Sequence, residues 1–360
     1  YKFVEVSVPA PYLLNQTEWN FDIEFKDVQE PIKVYVDAND GIATGEASLT
    51  KTDDEFNEPI EGAVFDVIAC EDIDILDEDG NYVLNEGDKV GTITTDESGE
   101  ASIDGLYIGK DGDGQYKFVE VSVPEPYVIS NKETPFTLTY KDMNTEVVYS
   151  DSDIKNDVAK GQAELTKTDV ETGRVLEGAE FDVIAREDIE YPNGTIKVHN
   201  GDVVDHIVTD AEGKATTKEL YIGSDGDGKY AFVETKPPVG YNPDASDVPF
   251  TLTYDQPDVA LVKTSVSKTN KPIRGDVEMP KIDTELSQFN GQEDKTGNPQ
   301  GDGVVSGTVF EIVTNNDYPV LVGGTIHNRG DVVIEITTDD NGIAKTTGKA
   351  LPYGSYTLRE

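Results

Sequence analysis

The chain has 360 residues, a formal net charge of −43 and 36% hydrophobic residues. That is length for two to four ordinary domains, each with a small core. So acidic a chain repels nucleic acid and anionic membranes, which excludes both as partners, and no run approaches the roughly 20 apolar residues of a spanning helix. Cys70 is the single cysteine, so the chain forms no internal disulfide.

In chain order, "YKFVEVSVP" at Tyr1 returns unchanged at Tyr116, as "YAFVETKPP" at Tyr230, and begins again as "YTLRE" at Tyr356. Between these copies lie "SLTKTD" at Ser48, "ELTKTD" at Glu164 and "EMPKID" at Glu278. Their lysines, Lys51, Lys167 and Lys281, recur at intervals of 116 and 114 residues, and Glu5, Glu120 and Glu234 at 115 and 114. Each lysine is followed by "EGAVFDVIA", "EGAEFDVIA" or "SGTVFEIVT", then by "TDESGEA", "TDAEGKA" or "TDDNGIA". A constant period of this size means tandem domains, because solenoid repeats run to roughly 20–50 residues. The phase gives 1–42 as the back of one unit, 43–158 and 159–271 as complete units, and 272–360 as the front of a fourth. The chain thus reads as a piece of a longer array.

Short alternating runs of Val, Ile, Thr, Tyr and Phe, bounded by Gly, Asp, Asn and Pro, predict strands. The three "TD…G" segments predict hairpin turns. Seven or eight strands in about 115 residues make each unit a β-sandwich. Side chains alternate faces along a strand. Ala47, Leu49 and Lys51 therefore share the inward face, as do Ala163, Leu165 and Lys167, and Val277, Met279 and Lys281. Tyr116, Phe118 and Glu120 repeat the pattern, followed by Tyr230, Phe232 and Glu234, and by Tyr356, Leu358 and Glu360. A buried lysine and a buried carboxylate are costly unless they meet. Two readings of such a pair are open. One is a core salt bridge or a snorkelling lysine. The other is chemistry, with the lysine pKa lowered into the nucleophilic range and the carboxylic acid kept protonated.

The ordered set K-x-D, G-A-x-F, T-D-x-x-G-x-A, L-x-x-G, Y-x-F-x-E and P-x-G-Y resembles the Cna B-type, or SpaA-like, prealbumin-fold domains of Gram-positive surface adhesins and pilins. The resemblance covers essentially the whole chain. It implies an all-β array of tandem Ig-like, prealbumin-like sandwiches. It also implies an intramolecular isopeptide bond, made when a strand-one lysine attacks an asparagine (sometimes aspartate) on the last strand, with the glutamate as proton shuttle. Carried over, Lys51 and Lys167 are the nucleophiles and Glu120 and Glu234 the shuttles. Asn156 in "DIKNDVAKG" and Asn270 in "SKTNKPIRG" are the acceptors, Asn39 stands at the matching place in 1–42, and Asp37, Asp153 and Asp157 compete. Glu5 and Asn39, and Lys281 with Glu360, are incomplete triads.

Lys281 lies 29 residues from Phe310, where Lys51 and Lys167 lie 14 from Phe65 and Phe181, so "SQFNGQEDKTGNPQGDG" reads as an exposed loop. Pro280 asks for a sheet edge or a bulge. The glycine turns at Asp111–Asp113 and Asp225–Asp227 fail the calcium-loop spacing and read as acidic hairpin tips. The RGD tripeptides at 274–276 and 329–331 read as chance. His199, His206 and His327 have no zinc-ligand spacing. No metal, cofactor or multiple-turnover enzyme is expected; a two-carboxylate glycosidase is the distant third reading. The expected function is a stalk in an extracellular, wall-associated Gram-positive protein, whose partners are neighbouring repeats. The alternative is a ligand-binding adhesin module for a host matrix protein or glycan.

Overall fold

A computed structural model of the chain describes residues 1–24, 31–76, 80–129, 132–282 and 304–360, and among these it contains strands and no α-helix. The predicted loop at 287–303 lies outside the described residues. No described helix is long and apolar enough to cross a membrane.

The segment 43–158 forms two four-stranded sheets. The first has the order Tyr127–Val128, Val147–Val158, Thr44–Asp53, Glu100–Tyr107, and the second Glu133–Thr139, Asp113–Ser122, Val64–Ala69, Lys89–Thr94. Every pairing is antiparallel except one: the first long strand, Thr44–Asp53, runs parallel to the last, Val147–Val158. The segment 159–271 repeats this. Lys160–Asp169 runs parallel to Leu261–Asn270, and the facing sheet is Val203–Val208, Glu180–Ala185, Asp227–Lys236, Val248–Thr253. In 272–360 a three-stranded sheet, Val332–Thr337, Val309–Thr314, Tyr356–Arg359, faces short pairs that include Glu278–Pro280 with Ile343–Lys345. Among the described residues the strand of Pro280 has a single partner, an edge position where its missing N–H costs no ladder bond. Near the N-terminus Lys2–Val4 pairs with Glu18–Asn20.

Strand alternation builds the cores. Ala47 and Leu49 are buried between sheets beside Phe65, Phe118 and Leu138, and Ala163 and Leu165 are buried in the same way beside Phe181, Phe232 and Leu252. Phe118 stacks on Phe136 at 4.5 Å between ring centroids, and Phe232 on Phe250 at 4.6 Å, so the aromatic layer also repeats.

The glycine of the "TD…G" turn has a specific task. Gly99, Gly213 and Gly342 have φ of +75°, +70° and +71°, and a Cβ there would lie 2.4, 2.7 and 2.7 Å from the carbonyl oxygens of Lys51, Lys167 and Lys281. The amides of the same lysines donate to those glycines' carbonyls at 2.7 Å each. Only glycine tolerates both the left-handed backbone and this approach. The turn therefore pins the lysine's backbone in all three units.

Successive segments touch through the same bonds twice. The Tyr140 hydroxyl donates to the Tyr12 carbonyl at 3.1 Å and the Leu14 amide to the Met143 carbonyl at 2.9 Å. One period later Tyr254 donates to the Tyr127 carbonyl at 3.1 Å and the Ile129 amide to the Pro257 carbonyl at 2.7 Å.

Candidate functional site: a lysine, a glutamate and an asparagine between the sheets

In the parallel ladder Asp53 is the register partner of Asn156, and Asp169 of Asn270. Lys51 and Lys167 lie two residues earlier on the same faces, so lysine and asparagine project from neighbouring strands of one sheet into the core. The glutamates come from the facing sheet, where Glu120 is opposite Phe65 and Glu234 opposite Phe181.

In 159–271 the three groups form a closed cluster. Lys167 Nζ donates to Asn270 Oδ1 at 2.5 Å and lies 3.1 Å from Glu234 Oε1. Asn270 Nδ2 donates to both Glu234 oxygens, at 2.9 and 3.0 Å. The amine sits 5.5 Å from the centroid of the Phe181 ring. In 43–158 Asn156 Nδ2 donates to Glu120 Oε1 at 2.8 Å, while Lys51 Nζ stands 3.9 Å from that oxygen. Lys51 Nζ and Glu120 Oε2 have no hydrogen-bond partner. The side chains of Lys51 and Glu120 are both fully buried, as is that of Lys167.

Burial governs the electrostatics. Loss of water pushes the Lys51 ammonium down to about 8, against the opposing pull of Glu120 and Asp53. It also pushes the Glu120 carboxyl up, against Lys51 and the Asn156 amide. Lys167 is lowered too, mainly by burial, although Glu234 pulls the other way. For Lys51 and Glu120 both directions run toward a neutral amine beside a protonated acid.

The competing acids lie elsewhere. Asp153 and Asp37 are exposed, and half-buried Asp157 bonds Lys160 at 2.9 Å. The partial sites are looser. Lys281 Nζ meets Glu360 Oε2 at 2.7 Å, but both side chains are substantially exposed. Half-buried Glu5 accepts from the Asn15 amide at 2.7 Å; Asn39 is exposed, and its carbonyl accepts from Asn15 Nδ2 at 2.6 Å.

Sequence reading missed the acid of "K-x-D". Asp53 Oδ1 accepts the amides of Glu55 and Phe56, and Asp169 Oδ1 those of Glu171 and Thr172. Their other oxygens accept tyrosine hydroxyls, from Tyr241 to Asp169 at 2.6 Å and, across the unit boundary, from Tyr191 to Asp53. The RGD at 274–276 is engaged in the structure: Arg274 grips Glu171, and Asp276 accepts from Lys349, Ala350 and Thr346.

Tandem sandwiches with a lysine, a glutamate and an asparagine between their sheets define a class of prealbumin-like repeat. The family model for the SpaA prealbumin-like fold domain matches residues 45–153 and again 161–267, so the chain belongs to that family in two tandem copies. Among solved structures it is similar to the Bacillus anthracis TIE protein, at 24% identity and a TM-score of 0.48 over 89% of this chain; the chain spans 45% of the length of that structure. It is also similar to a Streptococcal ancillary pilin (21% identity, TM-score 0.26, 74% of this chain and 72% of the other). The shaft pilin SpaA of Lactobacillus rhamnosus GG is a further likeness (17% identity, TM-score 0.23, 64% and 97%). No curated protein matches the chain.

Proposed function

We propose that the chain is a run of structural stalk repeats of an extracellular, cell-wall-associated protein, in which 43–158 and 159–271 are complete domains that each close with a Lys–Asn isopeptide bond. Residues 1–42 and 272–360 are then parts of two further units. The observation that carries this is the burial of lysine, glutamate and asparagine together in both complete sandwiches, at matching register positions. Family membership and the repetition of one site in both units support a structural role. The adhesin alternative has no specific observation in its favour.

The chemistry balances within the site. The neutral lysine Nζ attacks the asparagine Cγ, and the glutamic acid supplies a proton to the developing tetrahedral centre. The glutamate then passes the amine proton to the leaving nitrogen, the Cγ–Nδ2 bond breaks, the tetrahedral oxygen returns its proton to the glutamate as the carbonyl re-forms, and one ammonia departs for each amide formed. The carboxyl ends as it began. Each event happens once per domain, so the protein is no turnover enzyme. Intact mass of the full chain tests this. Two ammonia losses are expected, with linked peptides joining Lys51 to Asn156 and Lys167 to Asn270. A folded chain at its full sequence mass leaves only the salt bridge.

A further inference from the structure

Two of the repeat's glutamates, Glu5 and Glu234, each accept from a backbone amide ten residues later. Glu5 Oε2 accepts from Asn15 N at 2.7 Å, and Glu234 Oε2 from Asp244 N at 2.9 Å. In 159–271 this capping turn is itself fastened. Ser246 N donates to Asp244 Oδ1 at 3.0 Å, which closes the turn. Lys268, on the last strand, reaches the turn with its ammonium, 3.0 Å from Asp244 Oδ2, 2.9 Å from the Ser246 carbonyl and 2.5 Å from its hydroxyl. Its side chain is 7% exposed, so most of it is committed to this span. In 43–158 the equivalent register position is Ile154, the partner of Lys51 as Lys268 is of Lys167. Ile154 has no ammonium with which to make such a staple.

We infer that Lys268 is a positioning residue for the reaction of 159–271: it fixes the turn whose amide aims the Glu234 carboxylate at Lys167 and Asn270. This rests on the isopeptide reading. Lys268 exchanges no proton and forms no bond in the step. Glu234 must present Oε1 to both the amine and the amide, and a carboxylate whose second oxygen is anchored cannot rotate away from them. Lys268 also places a positive charge beside Lys167 that weighs, with burial, against protonation of the nucleophile. The anchoring turn holds Asp244 down to about 2 through Ser246 and Lys268, so its carboxylate remains charged through the ordinary pH range.

The test follows bond formation in the full chain made by cell-free synthesis and quenched at intervals, with the Lys167–Asn270 and Lys51–Asn156 peptides quantified by mass spectrometry. Lys268→Met keeps the stem and removes the charge. It should slow the 167–270 link about tenfold, the scale of one charged hydrogen bond, and leave the 51–156 link at its normal rate. Lys268→Arg should restore most of the rate. Asp244→Asn, which keeps the capping amide and alters only a half-exposed side chain, should slow the same link several-fold and covers the case in which Lys268→Met fails to fold. Hydrogen exchange at the Asp244 amide should quicken in both slowed variants. An unchanged 167–270 rate in folded Lys268→Met overturns the inference, as does a lowered melting temperature with no change in rate. Absence of the 167–270 link from the wild-type chain overturns the isopeptide reading itself, which is a separate result.

Discussion

The double variant Lys51→Met/Glu120→Gln separates a covalent site from an ion pair. Glu120→Gln keeps side-chain length and Lys51→Met shortens it by one atom, and both remove charge from a core where Lys51 and Glu120 are fully buried. If the two groups were only a salt bridge, loss of one partner would cost roughly 3–5 kcal/mol, but replacing both with neutral groups would be neutral or stabilising by roughly 1–4 kcal/mol. If Lys51 is bonded to Asn156, the double variant instead loses a link that closes a loop of about 100 residues. Chain entropy puts that near 4–5 kcal/mol by the relation used for disulfides. For a domain of this size the melting temperature of 43–158 should then fall by about 15–25 °C. Calorimetry of the full chain is the assay, with 159–271 as internal reference and mass spectrometry to confirm loss of one ammonia-releasing event. A double variant within about 1 kcal/mol of wild type would refute the reasoning, because a covalent closure has no neutral substitute.

Glu120→Ala should fold and retain the Lys167–Asn270 link, yet lack the Lys51–Asn156 link; normal formation of the latter would reduce Glu120 to a pairing partner. In Asn156→Ala the Lys51 amine stays free, and its folded pKa of about 8 lies below the ordinary 10.5. The folded state then binds fewer protons than the unfolded one between those values, so the stability of 43–158 should rise with pH from about 8 to about 10.5, and flat denaturant midpoints across that window would contradict it. At Gly240, φ is +88° and a Cβ would lie 2.2 Å from the Tyr353 ring. Gly240→Ala should therefore separate 272–360 from its neighbour, read as faster hydrogen exchange at the Tyr353 amide, which donates to the Ile273 carbonyl at 2.7 Å.

Period and strand alternation carried the fold and half of the site. Lys51, Lys167, Glu120 and Glu234 each end an apolar alternation, and the core receives them as that pattern requires. The asparagines are harder to read because the inward face of their strand mixes serine, threonine and lysine with its apolar residues. Tyr149, Asp151, Asp153 and Lys155 face water along Val147–Val158, so no apolar face marks Asn156 until the last residues of the strand. Its meaning comes from a parallel register with a strand about 100 residues earlier, which local sequence does not encode. Lys268 shares the inward side with Asn270, which breaks the apolar-inward pattern; its ammonium is buried but paired, with Ser246 and Asp244. The socket for Tyr191 was hidden for a different reason: Asp53 and Tyr191 belong to different repeats, and the place of Tyr191 in the preceding repeat is taken by Ile75.

The parallel pairing of first and last strands also fixes how such a domain answers a pull. The chain enters 43–158 at the start of one strand and leaves at the far end of the other, so load along the array shears the whole ladder from Thr44 to Asp53 instead of peeling bonds one at a time. Tyr140, Tyr254 and their carbonyl partners pass that load from one unit to the next. A Lys51–Asn156 bond would short-circuit the path near its end. The intervening residues, which fully extended would release on the order of 350 Å of slack, would carry none of it. Under load the domain would behave as an inextensible strut, and its sheets could melt and re-form without lengthening the chain.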